Sequence, residues 1–182
     1  MAVKVWIVTG WRGSGKTTFC RQAVGTARQM GWRPAGLLSP AVFENGQKTS
    51  IWAEDIQSSQ KRLLAAITPQ TDAALAFGDW YFSQETLTWG NRVLQSSLPC
   101  DLLLIDELGP LEFNLGLGWV SALDLIQSGQ YRQALVVIRP ELLAKAQEIL
   151  NTPLTIEINH VNEVQEKVRS FASVLNLLNG VS

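Results

Sequence analysis

The residues with the clearest chemistry in this chain are 10–17, which read Gly-Trp-Arg-Gly-Ser-Gly-Lys-Thr. Their spacing is that of the phosphate-binding loop G-x-x-x-x-G-K-T, in which small residues let consecutive backbone N–H groups turn inward around a polyphosphate. Lys16 would bring a mobile positive charge to the outer phosphates, and Thr17 would offer its hydroxyl to the magnesium ion that bridges them. The loop therefore predicts binding of ATP or another nucleoside triphosphate, with Mg²⁺ as the cofactor.

The nucleotide-contacting residues predicted from the loop are Gly10, Trp11, Arg12, Gly13, Ser14, Gly15, Lys16, Thr17 and Thr18. The competing dinucleotide-binding pattern needs a third glycine or an alanine at position 18. Because Thr18 stands there, the sequence argues against that class of site.

A pair of carboxylates follows the apolar run 102–105, which is typical of a buried strand. Asp106 would reach the metal shell, directly or through water, because the acidic partner of a phosphate loop sits at the end of another buried strand. Glu107 would point to the terminal phosphate, where a carboxylate can orient and deprotonate the attacking water. Without a phosphate loop, the same two residues would be a solvated strand end.

Two further charged residues are candidates near this site. Arg139 closes the next predicted strand, where it would stabilise charge on the transferring phosphoryl group, or else be a surface arginine leading into Pro140. Glu112 could position water or substrate, but bracing the glycine-rich loop through backbone N–H groups is the favoured interpretation.

The elements that must position these residues follow from hydrophobic pattern and turn residues. Strands are predicted at Val3–Val8, Leu37–Phe43, Lys48–Ile56, 101–105, Ala134–Ile138 and Leu154–Ile158, with a strand and then a loop across Lys61–Gly78. Helices are predicted at Lys16–Met30, Glu85–Leu98 with Ser83 as N-cap, Trp119–Gln127 and Glu141–Leu150, and along the apolar stripe Val161, Val164, Val168, Phe171, Leu175 and Leu178. The alternation predicts an α/β fold, a three-layer α/β/α sandwich with a mostly parallel sheet. Asn45-Gly46 predicts the turn of an inserted β-hairpin.

Composition limits the remaining possibilities. The chain has 182 residues, 46% of them hydrophobic, and a net charge of −1, which suits one domain over residues 1–182. The absence of a run of like charges argues against electrostatic capture of nucleic acid or an anionic membrane. With no membrane-spanning stretch and no room for a signal peptide before the first strand, we expect a cytoplasmic protein. Cys20 and Cys100 are expected to be buried, reduced thiols.

The whole pattern resembles the small P-loop nucleoside-triphosphatases of the thermophile-type and cancer-related group. The resemblance spans nearly the whole chain and is most specific at residues 106–112, Asp-Glu-Leu-Gly-Pro-Leu-Glu, which is similar to the family's Asp-Glu-Ile-Gly-x-Met/Leu-Glu motif. It implies a RecA-like fold and slow, magnesium-dependent hydrolysis of several nucleoside triphosphates. Trp11 and Arg12 depart from the small residues or proline common in relatives, and Ile138 stands where many relatives have a histidine.

Hydrolysis with Glu107 activating water is the leading hypothesis for function. A kinase that passes the terminal phosphate to a small acceptor is less favoured, because acceptor clamps use clustered arginines and the arginines here are scattered in sequence. The non-enzymatic alternative is a nucleotide-dependent switch that signals to an unknown protein partner through its loops, with the hairpin at 37–56 as the first surface to test.

Overall fold

The segment around the phosphate loop folds as a strand, a loop and a helix. In the computed structural model, which describes residues 4–71, 74–150 and 153–180, strand β1 (Lys4–Thr9) leads through the loop into helix α1 (Lys16–Gln29). Val3, predicted to open the strand, lies outside the described residues, as do residues 72–73 of the segment 61–78. Further strands are β2 Pro34–Leu38, β3 Ala41–Glu44, β4 Gln47–Asp55, β5 Lys61–Ala66, β6 Leu75–Phe77, β7 Trp80–Phe82, β8 Cys100–Leu108, β9 Tyr131–Ile138 and β10 Leu154–Glu157. Further helices are α2 Gln84–Ser96, α3 Pro110–Leu115, α4 Ala122–Ser128, α5 Leu143–Ile149 and α6 Val164–Asn179.

A parallel set of strands holds the site. Strands β10, β1, β9, β8 and β2 lie side by side in that order, and each runs parallel to its neighbours. Strand β9 therefore separates β1 from β8, as expected of a RecA-like sheet. Because parallel strands end at one edge, the loop after β1, Asp106 in β8 and Arg139 after β9 meet there. The predicted α/β class is confirmed.

The strands of this set are apolar because both of their faces are covered. In β8, Leu103 and Ile105 face one hydrophobic cluster, whereas Leu102 and Leu104 face the other. All four are fully buried, and each such side chain contributes about 1.5–3 kcal/mol when it leaves water. This two-sided burial explains the unbroken apolar run before Asp106.

The inserted hairpin forms at the predicted turn. Strands β3 and β4 pair antiparallel, with Glu44 opposite Gln47, and Asn45 and Gly46 both have positive φ. Two consecutive positive φ angles are what a tight hairpin turn requires, and Asn-Gly adopts them at low cost. The hairpin is part of the main sheet, because β4 also pairs with β2 and β5.

The expectation of one strand across Leu37–Phe43 is wrong. Strand β2 ends at Leu38 and β3 begins at Ala41, with Ser39 and Pro40 between them. Pro40 has no N–H to donate to a ladder, and it restricts the backbone of the residue before it. The break lets β2 stay in the buried parallel set while β3 turns outward as part of the hairpin.

The antiparallel part of the sheet is larger than the sequence predicted. Strands β6 and β7 form a second hairpin, and β7 pairs with β5. Strand β6 lies where the sequence predicted a loop, and β7 follows the segment 61–78. Strands of three residues are too short for alternation of polar and apolar residues to reveal them.

Helices cover both faces of the sheet, as the three-layer prediction requires. Helices α1 and α6 pack on one face, and α2, α4 and α5 pack on the other. Ser83 caps α2 as predicted, its hydroxyl accepting a hydrogen bond from the N–H of Thr86 at 3.2 Å. Within the described residues, no helix has the length and hydropathy to cross a membrane.

Some helix boundaries differ from prediction. Helix α4 begins at Ala122 rather than at Trp119, and α5 follows a 3₁₀ turn at Pro140–Leu142. Helix α3 was not predicted: it forms in the glycine-rich segment because Pro110 suits a first helical turn and Glu112 bonds back to the N–H of Gly109.

Both cysteines, Cys20 and Cys100, are buried and free, as expected.

Candidate active site

The phosphate loop owes its shape to glycines that no other residue could replace. Gly10 has φ +145°, and a Cβ atom there would clash with the carbonyl oxygen of Ile158. Gly15 has φ +102°, and a Cβ there would lie 2.8 Å from the side chain of Val164. The loop thus packs closely against residues that follow β10. This close packing fixes the loop backbone where α1 begins.

Lys16 lies folded over the loop. Its Nζ donates hydrogen bonds to the carbonyl oxygens of Gly10 at 2.6 Å and of Trp11 at 2.9 Å. Burial lowers the pKa of Lys16, and the carboxylates of Glu107 and Asp106 partly oppose that shift. The ammonium group is therefore held at the mouth of the loop, within the field of both acidic residues.

Two hydroxyls beside the loop are buried without a partner. The side chains of Thr9 and Ser14 belong to residues that are 3% and 4% exposed, and neither hydroxyl has a hydrogen-bond partner among the described residues. Buried polar groups are nearly always satisfied, so two unpaired hydroxyls flanking the loop suit an oxygen-bearing ligand. The loop has the features of an anion cradle.

The other residues predicted from the loop lie at its rim. Trp11 is 69% exposed, and Arg12 and Thr18 are exposed as well. A Cβ atom on Gly13 would meet nothing within 4 Å, so this part of the loop is open. Trp11, Arg12 and Thr18 are therefore accessible from solvent, and their contact with a nucleotide stays a prediction.

Asp106 is buried at the acidic end of strand β8. Its Oδ2 accepts a hydrogen bond from the N–H of Ser39 at 3.1 Å, and the hydroxyl of Thr17 is a further hydrogen-bonding neighbour. Burial raises the pKa of Asp106 to about 6, against these bonds and the nearby charge of Lys16. The carboxyl group and the Thr17 hydroxyl thus place two oxygens side by side.

Glu107 and Arg139 form an ion pair. The pairing of β8 with β9 is interrupted between Ile105 and Leu108, and the Nε–H of Arg139 donates to Oε1 of Glu107. Burial alone would lower the pKa of Arg139, but Glu107 and other nearby carboxylates raise it. Glu107, predicted to activate water, and Arg139, predicted to stabilise charge on the phosphoryl group, are therefore in direct contact.

Glu112 has a different environment from Glu107. Its two carboxylate oxygens accept hydrogen bonds from the N–H groups of Gly109 and Trp119, both at 2.8 Å. Burial raises its pKa. This supports the bracing role that the sequence favoured, since both oxygens are committed to the backbone of the glycine-rich segment.

Sequence reasoning missed two residues near the site. Ser39 was predicted to be an ordinary strand residue, but it bonds Asp106 through its N–H and through its hydroxyl, which donates to the carbonyl of Asp106. Lys48 comes two residues after the hairpin turn, and its Nζ lies 5.2 Å from the centre of the Trp80 ring. A lone lysine in a strand is too common for the sequence to have singled it out.

Comparison with known proteins gives consistent results. A family model described as NTPase matches residues 5–169. The nucleoside-triphosphatase THEP1 of Ignicoccus hospitalis is 30% identical over 108 residues, covering 59% of this chain and 60% of the relative. THEP1 of Methanosarcina barkeri is 29% identical over 107 residues, covering 58% and 60%. These matches span about three fifths of the length of each relative.

Solved structures share the fold over a greater length. The solution structure of a human cancer-related nucleoside triphosphatase gives a TM-score of 0.65 at 16% identity, covering 100% of both chains. The crystal structure of THEP1 from Aquifex aeolicus gives 0.66 at 18% identity, covering 94% of this chain and 98% of that one. At these identities the likeness establishes a common architecture.

Proposed function

Since this chain belongs to the NTPase family, we propose that it binds a nucleoside triphosphate with magnesium and hydrolyses it slowly to the diphosphate and phosphate. One observation carries the proposal: the loop cation, two buried orphan hydroxyls, two carboxylates and an arginine meet at one edge of the parallel sheet. Membership of the family supports the reaction class, and the geometry supports the residue roles proposed below.

Binding would use the loop backbone and Lys16. The N–H groups at the start of α1 and the positive end of that 14-residue helix favour a polyphosphate. Lys16 would exchange its two carbonyl acceptors for phosphate oxygens, which bind an ammonium group more strongly than neutral carbonyls do.

Thr17 and Asp106 would hold the magnesium ion. A carboxylate and a hydroxyl are oxygen ligands of the kind that Mg²⁺ prefers, and the two groups are already neighbours. Bound there, the ion would neutralise phosphate charge and polarise the terminal phosphoryl group. Asp106 must be ionised to bind the ion, and with a pKa of about 6 it has lost its proton at pH values above that.

Glu107 would serve as the general base. As the water oxygen bonds to the terminal phosphorus, the water proton passes to the Glu107 carboxylate, and the bond from that phosphorus to the bridging oxygen breaks. Arg139 donates to Glu107 through Nε–H alone, so its other N–H groups could neutralise charge on the phosphoryl oxygens. The ion pair would also keep the carboxylate oriented.

A phosphate-release assay across ATP, GTP, CTP and UTP with magnesium tests the proposal. We expect release without any added acceptor, and a loss of about 10² or more in rate for Glu107→Gln, with nucleotide binding retained. Lys16→Ala should remove binding itself. Glu148→Gln, an exposed carboxylate on α5, is the charge-matched control and should hydrolyse normally.

Other outcomes would favour the other classes. Tight binding with no phosphate release would contradict hydrolysis and favour a nucleotide switch. Release that depends on an added small acceptor would favour a kinase. Normal hydrolysis by Glu107→Gln would remove Glu107 from the role of base.

A further inference from the structure

Lys48 is a cation that the protein keeps half-buried without a counter-ion. Among the described residues, no carboxylate oxygen lies within 4.0 Å of its Nζ, and that nitrogen donates no hydrogen bond. By contrast, Lys61 on the adjacent strand pairs with Glu54 at 3.3 Å. Contact with the Trp80 ring offsets only part of the cost of removing an ammonium group from water. Such an environment favours an anionic ligand.

The charges that act on Lys48 belong to the candidate site. Glu107 and Asp106 attract its ammonium group, whereas Arg12 and Arg139 repel it. Glu107 is the foremost of these charges, so Lys48 is within electrostatic reach of the carboxylate assigned to the attacking water. Burial lowers the pKa of Lys48, as expected for a group that has left water without a partner.

Lys48 differs from the other cations of the site in its charge partners. Arg139 is paired with Glu107 and lies near Glu112 and Glu141, whereas Lys48 has no ion pair among the described residues. A triphosphate carries more negative charge than one magnesium ion neutralises, so an ammonium group without a counter-ion suits the magnesium complex. The diphosphate lacks the terminal phosphate and carries less negative charge to be neutralised.

The hairpin that carries Lys48 is rooted on the same site. Ser39, where the chain leaves β2, bonds Asp106, and the next residue, Pro40, accepts a hydrogen bond from the N–H of Trp52 in β4 at 2.9 Å. Lys48 stands opposite Phe43 on the paired strand. The hairpin that carries Lys48 therefore begins beside the carboxylate assigned to the metal.

We propose that Lys48, carried on the β3–β4 hairpin, binds the terminal phosphate of the nucleotide and helps to neutralise its charge during hydrolysis. The inference rests on the proposed function and adds a residue outside the loop and the acidic strand end. It makes the hairpin a component of the active site, contributed within the same chain.

The test compares affinity for triphosphate and diphosphate. Lys48→Met removes the charge and keeps most of the side-chain volume, and Lys61→Met is the control on the adjacent strand. With magnesium and a non-hydrolysable ATP analogue or ADP, calorimetry should show triphosphate affinity reduced at least about 10-fold and diphosphate affinity changed less than about 2-fold. The turnover number for ATP should fall as well, and Lys48→Arg should recover most of the triphosphate preference.

The outcomes separate this inference from the proposed function. If the wild-type protein binds neither nucleotide, the proposed function fails and Lys48 fails with it. A second result is that the wild-type protein binds and hydrolyses ATP while Lys48→Met does so equally well, or while Lys48→Met loses affinity for triphosphate and diphosphate to the same extent. Either form of this result overturns the role of Lys48 and leaves the proposed function standing. Thermal melting of Lys48→Met should show no loss of stability. If the methionine variant does not fold, the same affinity measurements are made on Lys48→Gln.

Discussion

At the scale of single residues, the segment 106–112 shows how environment divides roles among carboxylates. Asp106 is buried at the strand end, Glu107 is partly exposed against Arg139, and Glu112 is enclosed by backbone N–H groups. Both oxygens of Glu112 bond backbone donors of its own segment, which holds this carboxylate in place as a brace. We therefore propose Glu107, the partly exposed carboxylate, as the residue that accepts the water proton.

This division predicts that Glu112→Gln damages stability, whereas Glu107→Gln damages catalysis. A glutamine amide can accept only one of the two N–H bonds that Glu112 now accepts, so one buried donor is left unsatisfied. We expect a loss of about 1–3 kcal/mol in the free energy of unfolding, measured by urea titration. Glu107→Gln, which breaks a partly exposed ion pair, should cost less than about 1 kcal/mol. Equal stability losses would show that Glu112 is not a brace.

At the scale of elements, helix α6 accounts for the long apolar stripe in the C-terminal part of the chain. Four residues of the stripe, Val164, Val168, Phe171 and Leu175, are buried against α1 and the sheet. Val161, the first member of the stripe, is exposed and lies in a 3₁₀ turn before the helix. The stripe is therefore core packing along the helix itself.

Phe171→Ala should be strongly destabilising. Phe171 is 2% exposed and meets Trp6 edge-on at 5.6 Å and Phe19 at 6.1 Å between ring centres. Truncation would leave a cavity between α6, α1 and β1, with an expected loss of about 3–5 kcal/mol in a denaturant titration. Leu177→Ala on the same helix, at a residue 72% exposed, should change stability by less than about 0.5 kcal/mol. Comparable losses would mean that α6 is not fixed by its buried face.

Elements with a strong local signal could be predicted from sequence, and those decided by tertiary contacts could not. Strands β8 and β9 each contain an unbroken apolar run, at 102–105 and 134–138, and the Asn45-Gly46 turn has its own backbone preference. The sequence therefore located each of them, although both strands begin earlier than predicted and β8 ends later. Strand β7 forms by pairing with β5, and the sequence of a three-residue segment does not indicate which strand it will pair with.

The same limit applied to the site. Motif spacing located Lys16, Thr17 and Asp106 together, because the loop and the strand end are each contiguous in sequence. The contact between Arg139 and Glu107 depends on β9 lying between β1 and β8, which spacing does not encode. Lys48 reaches the site only because Ser39 and Pro40 redirect the chain into the hairpin.

At the scale of the whole molecule, the site carries a cost in stability. In the folded protein the pKa of Asp106 is about 6, against 3.8 for the ordinary group, because burial disfavours the charged form. Between these two pH values the folded state binds more protons than the unfolded state, so this group makes stability fall as pH rises from about 4 to about 6. Above pH 6 the full cost is present, and a bound cation would offset it.

Asp106→Asn should therefore make the nucleotide-free protein more stable at pH 7.5, by roughly 1–3 kcal/mol, because the neutral amide avoids the buried charge and can still accept from Ser39. In metal-free buffer with a chelator, that advantage should shrink as pH falls to 5, where wild-type Asp106 is itself mostly protonated. Added magnesium and nucleotide should raise the melting temperature of the wild type but hardly that of the variant, since binding to the folded state stabilises it by mass action. Asp124→Asn, at an exposed position on α4, should show neither effect. A variant less stable than the wild type at pH 7.5, or a difference that does not change with pH, would mean that Asp106 is held there for its hydrogen bonds rather than for a cation.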